Sequence, residues 1–332
     1  MKAIKFFAIS AMAAAMITSC STDDELSQSN YPSDNIIRVT AGVNNAKTRA
    51  EGAGTEMKKD FSLTIVNKNA PKYTYTDKVF SKTSGDWACS ETLLWQKSDA
   101  LVDIVAFAPA QTGKFNGVYA EGSIKPITYS VADDQSTASD KNDLLYYYAK
   151  DFNPGTSLVD KKLSIQFNHA FCMIDINVTL GTEFNKPSIP TTSPIVKVTL
   201  GGTKIAANVD VTNAASVVTA SEEAAATDIT TTKGSFTPAE NADKKADPEA
   251  NAISRFSCIA IPQTVAANTF KVSLMTAGKL YEWTSAEPVV LKSGYRYTLK
   301  LSMGNDVVLL KGGSISATPW TEITSDKPLE TD

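Results

Sequence analysis

Cys172-Met173-Ile174-Asp175-Ile176-Asn177-Val178-Thr179-Leu180 alternates apolar and polar side chains along its length. Cys172, Ile174, Ile176 and Val178 fall on one face, the period of two that marks a half-buried strand. Working outward, runs of strand length recur between turn residues. In the first half they are Ile36–Val43, Phe61–Asn67, Leu101–Phe107, Leu144–Tyr148 and Leu163–Phe167. In the second half they are Ile195–Leu200, Phe256–Ile261, Phe270–Thr276, Tyr295–Ser302, Val307–Leu310 and Ser314–Ile315. No stretch reads as a long, capped amphipathic helix. Many short strands without βαβ alternation predict an all-β chain of antiparallel sandwich class, with sheets packed face to face.

A chain of 332 residues suits two domains better than one. Lys150-Asp151-Phe152-Asn153-Pro154-Gly155-Thr156 is a polar Pro-Gly turn, and a new hairpin starts at Leu163. The expected cut is therefore near residue 155, giving domains 36–155 and 156–332. Asn208 to Asn251 is poor in aromatics and reads as a long exposed excursion with at most short strands.

Composition narrows the chemistry. The net charge is −4 and charged residues are 20%, so no basic surface for nucleic acid is implied. His169 is the sole histidine, which weakens any histidine-dependent hydrolase and excludes metal sites that need two histidines. In Asn168-His169-Ala170, between two strands, it is expected as a turn residue and not as a catalytic base. Phosphate-binding glycine loops and metal-spaced cysteine pairs are absent, so no enzyme, metal or cofactor is expected. Asp133-Asp134, and Asp243, Asp247 and Glu249, read as solvated loop charges. Cys89, Cys172 and Cys258 are an odd number, expected as free thiols, with Cys172 and Cys258 as small buried hydrophobes. Trp87, Trp95, Trp283 and Trp320 each lie near a strand; core anchoring is the default, and a sugar-stacking platform is the alternative.

The N-terminus belongs to export. Lys2 and Lys5 precede a short apolar run, Phe6 to Ile17, too short to span a bilayer. Ile17-Thr18-Ser19-Cys20 resembles the lipobox of bacterial lipoproteins, which implies cleavage before Cys20 and acylation of that residue. Residues 1–19 are then a signal peptide and 20–35 a flexible tether. Ser21-Thr22-Asp23-Asp24-Glu25 resembles the export signal of surface-exposed lipoproteins in the Bacteroidetes.

Three stretches together resemble the fimbrillin family, the type V pilus subunits of Bacteroidetes. The first is Asn142-Asp143-Leu144-Leu145-Tyr146-Tyr147 followed by Leu163-Ser164-Ile165-Gln166-Phe167-Asn168-His169-Ala170. The second is Gly294-Tyr295-Arg296-Tyr297-Thr298-Leu299, then Ile315 and Pro319-Trp320. The third is Ile36-Ile37-Arg38-Val39-Thr40-Ala41-Gly42-Val43 with Lys47-Thr48-Arg49-Ala50 behind it. The resemblance implies two transthyretin-like β-sandwich domains in tandem and a structural role in a surface fimbria. It also implies a lipoprotein precursor at the outer membrane. An arginine-specific protease would cut after an N-terminal strand, here after Arg49, and a strand from a neighbouring subunit would enter the opened groove. Lys47, close to Arg49, is a departure that bears on where the cut falls.

In that scheme the removable strand is 36–49, with Ile37, Val39, Ala41 and Val43 on its inward face. The heavier C-terminal segment 305–323, carrying Val308, Leu310, Ile315 and Trp320, is the expected donor. Its partners are other fimbrial subunits, copies of itself or paralogues. The competing class is a non-polymerising surface lipoprotein or tip adhesin that binds a glycan or host ligand.

Overall fold

The computed structural model describes residues 30–44, 55–111, 124–137, 142–240, 251–304, 308–310 and 315–320. In the first half the strands are β1 (Val39–Val43), β2 (Thr55–Glu56), β3 (Phe61–Val66), β4 (Tyr75–Thr83) and β5 (Asp86–Cys89). They continue with β6 (Val102–Ala108), β7 (Ile127–Ser130), β8 (Leu145–Phe152) and β9 (Leu163–His169). The second half opens with β10 (Cys172–Leu180), β11 (Ile195–Gly201), β12 (Ala206–Val209), β13 (Val218–Ala220), β14 (Ile229–Thr230) and β15 (Thr232–Thr237). Then come β16 (Ile253–Ala260), β17 (Gln263–Val265), β18 (Lys271–Thr276), β19 (Leu280–Thr284), β20 (Val289–Leu291) and β21 (Tyr295–Met303). Two short strands, β22 (Val308–Leu310) and β23 (Ser316–Pro319), complete the described chain. The architecture is all-β, as the alternation predicts.

β10 behaves as its sequence requires. Cys172, Ile174, Ile176, Val178 and Leu180 leave the pleat toward the core and are all buried, while the residues between them are half-buried. It pairs antiparallel with β16, Ile174 opposite Cys258, and parallel with β21, Ile174 opposite Tyr297. That central place in a sheet ordered β15-β16-β10-β21-β22 explains an unbroken pattern with no glycine or proline.

Eight strands form the other large sheet, in the order β2-β1-β9-β8-β6-β3-β4-β5. It rolls over its own core, so that Phe61 of β3 touches both Phe80 of β4 and Phe167 of β9 at 5.4 Å between ring centroids. β3 and β6 are buried on both faces. Ile104 and Ala106 of β6 enter the first core, whereas Val105 and Phe107 enter the second. The apolar run Ile104–Ala108 of β6 follows from that double burial, whereas β3 buries Ser62 and Thr64 on its second face.

The first sheet continues past residue 155: β9 pairs with β1 and β8, and Leu163, Ile165 and Phe167 fill the first core. The turn at Lys150–Thr156 is a connection inside that sheet. The second core's strands begin at Cys172, and β7, from the first half of the chain, joins them by pairing with β12. The excursion from Asn208 is not merely exposed. It supplies β13, β14 and β15 and buries Val209, Val218 and Ile229, because single valines and isoleucines at strand edges need no aromatic to anchor them. Residues 241–250 lie outside the described ones. Finally, His169 is not a turn residue but the buried last residue of β9.

Candidate functional site

The N-terminal strand is seated in a groove of the first sheet. Along one edge Val39–Val43 runs parallel to Leu163–Phe167, with Asn44 N donating to Phe167 O at 2.8 Å. On the other side Ile37 N donates to Leu93 O at 2.9 Å, and Trp95 N donates to Asn35 O at 2.8 Å. Ile37, Val39 and Val43 are buried and Ala41 is half-buried; Gly42 is buried as well. Each large aliphatic side chain contributes about 1.5–3 kcal/mol of gross burial. Arg38 points out to solvent, where its guanidinium binds Asp34 through two nitrogens at 3.0 and 2.6 Å. That hydrogen bond, helped by the Ile36 amide, holds the Asp34 carboxyl down at about 2.

The C-terminal segment lies against its own chain. β22 pairs antiparallel with Leu301–Met303 and β23 with Tyr295–Thr298, so both cover one edge of β21. The hold is narrow. Ser316, Ala317, Thr318 and Pro319 are all exposed, while Val308 and Trp320 are buried and Ile315 is half-buried.

Trp320 has a built seat. Its ring stacks on His169 with centroids 3.8 Å apart and planes inclined by 11°. His169 Nδ1 lies 2.9 Å from Asp143 Oδ1, and Lys59 Nζ donates to Asp143 Oδ2 at 3.4 Å. Burial pushes the nearby Tyr129 phenol up, and the Asp143 charge adds to it. The backbone of Gly294 closes the seat: its N–H donates to Phe171 O at 2.9 Å and its carbonyl accepts from Trp320 N at 2.7 Å. Gly294 has φ of 70°, a left-handed conformation that a side chain would strain. Asp143, His169, Gly294 and Trp320 stand in the quoted motifs far apart in sequence, and the fold brings them to one point. A sequence reading of Asp143, Lys59 and Gly294 as a seat for Trp320 had no signal beyond the motifs' shared presence.

The other expected residues divide cleanly. Cys20 and Arg49 lie outside the described residues. The backbone of Leu310 pairs with Leu301 in β22. Cys89, Cys172 and Cys258 are free thiols, Cys172 and Cys258 buried, and burial pushes both of those thiols up. Trp95 and Trp320 are core anchors, Trp87 packs on Phe61, and Trp283 lines a cleft. Among the described residues no group of three or more His, Cys, Asp or Glu side chains is arranged to hold a metal ion, and no helix is long and apolar enough to cross a membrane.

Solved structures share the fold at low identity. A candidate cell adhesion protein from Bacteroides ovatus ATCC 8483 superposes with a TM-score of 0.61 at 18% identity, covering 88% of this chain and 99% of that one. A second, from Bacteroides uniformis ATCC 8492, gives 0.55 at 14% identity over 87% and 100%. A fimbrial protein from Bacteroides vulgatus ATCC 8482 gives 0.54 at 15% identity over 86% and 99%. No curated protein sequence matches the chain. Residues 48–320 match the profile of the fimbrillin-like family, and over that span, most of its length, the chain belongs to that family.

Proposed function

We propose that the chain is a polymerising subunit of a surface fimbria, exported as a lipoprotein acylated on Cys20 and assembled by strand exchange. Cleavage after Arg49 by an arginine-specific protease releases residues 36–49. The C-terminal segment 305–323 of another subunit then occupies the vacated groove, and the fibre supports adhesion. Two tandem transthyretin-like domains at the outer membrane surface complete this reading.

Membership of the fimbrillin-like family makes the chain a structural fimbrial or cell-adhesion protein and not an enzyme. The observation that supports strand exchange is a contrast between two segments. β1 fills a groove with Ile37, Val39 and Val43 and borders β9 along its whole length, so its removal leaves both an apolar trough and an unpaired edge. The C-terminal segment is held in its own chain chiefly by Val308, Ile315 and Trp320, with an exposed strand between the last two. A segment with few anchors and several large apolar side chains can be exchanged for a deeper site, where backbone pairing supplies affinity and side-chain pockets supply register.

The test replaces Arg49 and Lys47 together with Ala and runs surface fractions on an unboiled denaturing gel. The expected result is full-length lipoprotein and no ladder of polymers. A ladder of normal length built from uncleaved double variant would sink the mechanism.

A further inference from the structure

A cleft of about 720 Å³ opens beside β21, lined by residues of the 283–292 stretch, by β21 and by the C-terminal segment. One wall is aromatic. Trp283 is half-buried and meets the buried Phe270 edge-on, with centroids 6.4 Å apart, so its ring is fixed in place. Tyr295 and Tyr297 stand 6.5 Å apart at 42° on β21, and the Tyr297 hydroxyl accepts a hydrogen bond from Lys292 N at 2.9 Å. The C-terminal segment adds Ile315 and Ala317 to the lining, Ala317 lying beside Tyr297 in the β21–β23 ladder. Glu287 and Lys292, both exposed, stand on the rim.

This combination selects among ligand chemistries. Its size is that of a small-molecule site. A purely aliphatic ligand would cover the rim's polar groups without satisfying them. An anion would meet Glu287, and a cation would meet Lys292. A sugar ring presents a C–H face to an aromatic plane and hydroxyls that both donate and accept at its edge, which suits a carboxylate and an ammonium on one rim.

We propose that this cleft binds carbohydrate, one or two pyranose rings lying against Trp283 and Tyr295, with hydroxyls reaching Glu287 and Lys292. Because Ile315 and Ala317 are part of the lining, the complete site exists only while the C-terminal segment lies on β21. By linkage, a bound sugar holds that segment in place. The binding site stands on the cleft alone; only its effect on assembly rests on the strand-exchange reading.

The experiment is saturation-transfer NMR on the uncleaved chain with galactose, mannose, fucose, N-acetylglucosamine and lactose as probes. At least one sugar should receive saturation on its ring protons. Trp283→Ala should weaken that sugar at least tenfold, Trp283→Tyr should restore much of it, and the exposed-rim variant Glu287→Ala should weaken it several-fold without altering the melting temperature. Truncation after Gly304 should weaken it as well. No transfer to any of the five sugars, or binding unchanged in both Trp283→Ala and Glu287→Ala, overturns the site. Binding unchanged by the truncation overturns the part played by Ile315 and Ala317. Polymer formation is scored separately, so a failed sugar titration and a failed strand exchange give different results.

Discussion

His169 and Trp320 stack face to face, 3.8 Å apart, joining the last residue of β9 in the first sheet to the last described residue of the C-terminal segment. The contact makes Trp320 the terminal fastener of a strand whose other side chains face solvent. Trp320→Ala should therefore loosen the segment before it loosens either core. In hydrogen–deuterium exchange, amides of 295–298 and 315–320 should lose protection, by a free-energy equivalent of up to about 3 kcal/mol, while those of β3 and β6 stay as protected as before. Equal loss across the chain would show that Trp320 supports the whole fold and not the segment.

Asp143 is the support beneath that stack. Its carboxylate partners His169 Nδ1 and Lys59 inside a nearly closed site. Asp143→Ala leaves a buried ring nitrogen without its partner, which should cost about 1–3 kcal/mol in denaturant unfolding. Asp143→Asn, which keeps a polar group in reach of His169, should cost less. Equal losses in the two variants would remove the hydrogen bond from the explanation.

Much of this arrangement was legible in the sequence, and its limits have physical reasons. β10, β3, β6 and β9 announce themselves because burial on one or both faces writes a pattern into consecutive residues. β7, β12 and β14 do not, since strands of two to four residues carry too few positions for a period to show. His169 misled for a different reason. Next to Asn168 and Ala170 it looks like a polar turn residue, and what buries it is Trp320, supplied from the far end of the chain. β9 is legible as a strand, but the Pro-Gly turn before it marks a connection and says nothing of which sheet the next strand joins.

The cysteines give a prediction with a sign. Burial raises Cys172 and Cys258, so the folded state keeps both thiols protonated where unfolded thiols ionise. Only the thiolate reacts. In native protein at pH 8 a thiol reagent should modify Cys89 alone, and in denatured, unreduced protein lipidated at Cys20 it should find three thiols. A lower count would reveal a disulfide. With folded values above unfolded ones, the contribution is complete below about pH 8.5 and is lost as pH rises above it, by up to about 1.4 kcal/mol per pH unit for each thiol. Cys172→Ala should flatten that decline.

The proposed lipid anchor is Cys20. Metabolic labelling with a fatty-acid probe should mark the wild-type chain and not Cys20→Ala, whose signal should also remain uncleaved. Labelled Cys20→Ala protein in the membrane fraction would contradict the lipobox reading.

The strand-exchange mechanism makes its sharpest prediction through two engineered cross-links. Thr40 pairs with Ser164 across the β1–β9 ladder, and Thr298 pairs with Ser316 across the β21–β23 ladder. Directly opposed strand residues lie within the Cα separation that a disulfide spans, about 4.4–6.8 Å. Thr40→Cys with Ser164→Cys should tether the N-terminal strand, so that protease cuts the chain but the groove stays filled. Thr298→Cys with Ser316→Cys should tether the C-terminal segment, so that the groove opens but the donor is held back. The two defects differ in kind. A groove-locked subunit still offers its C-terminal segment and should terminate chains of unlocked subunits at one end. A segment-locked subunit still offers a groove and should terminate them at the other. A mixture of the two locked forms should yield dimers formed without either lock being broken, since the first can donate and the second can accept. Reduction should restore long polymers in each case. Full-length polymers from either oxidised variant would show that the tethered strand takes no part in assembly. Failure of the mixed sample to dimerise, with both variants folded and cleaved, would show that the C-terminal segment is not the strand that enters the groove.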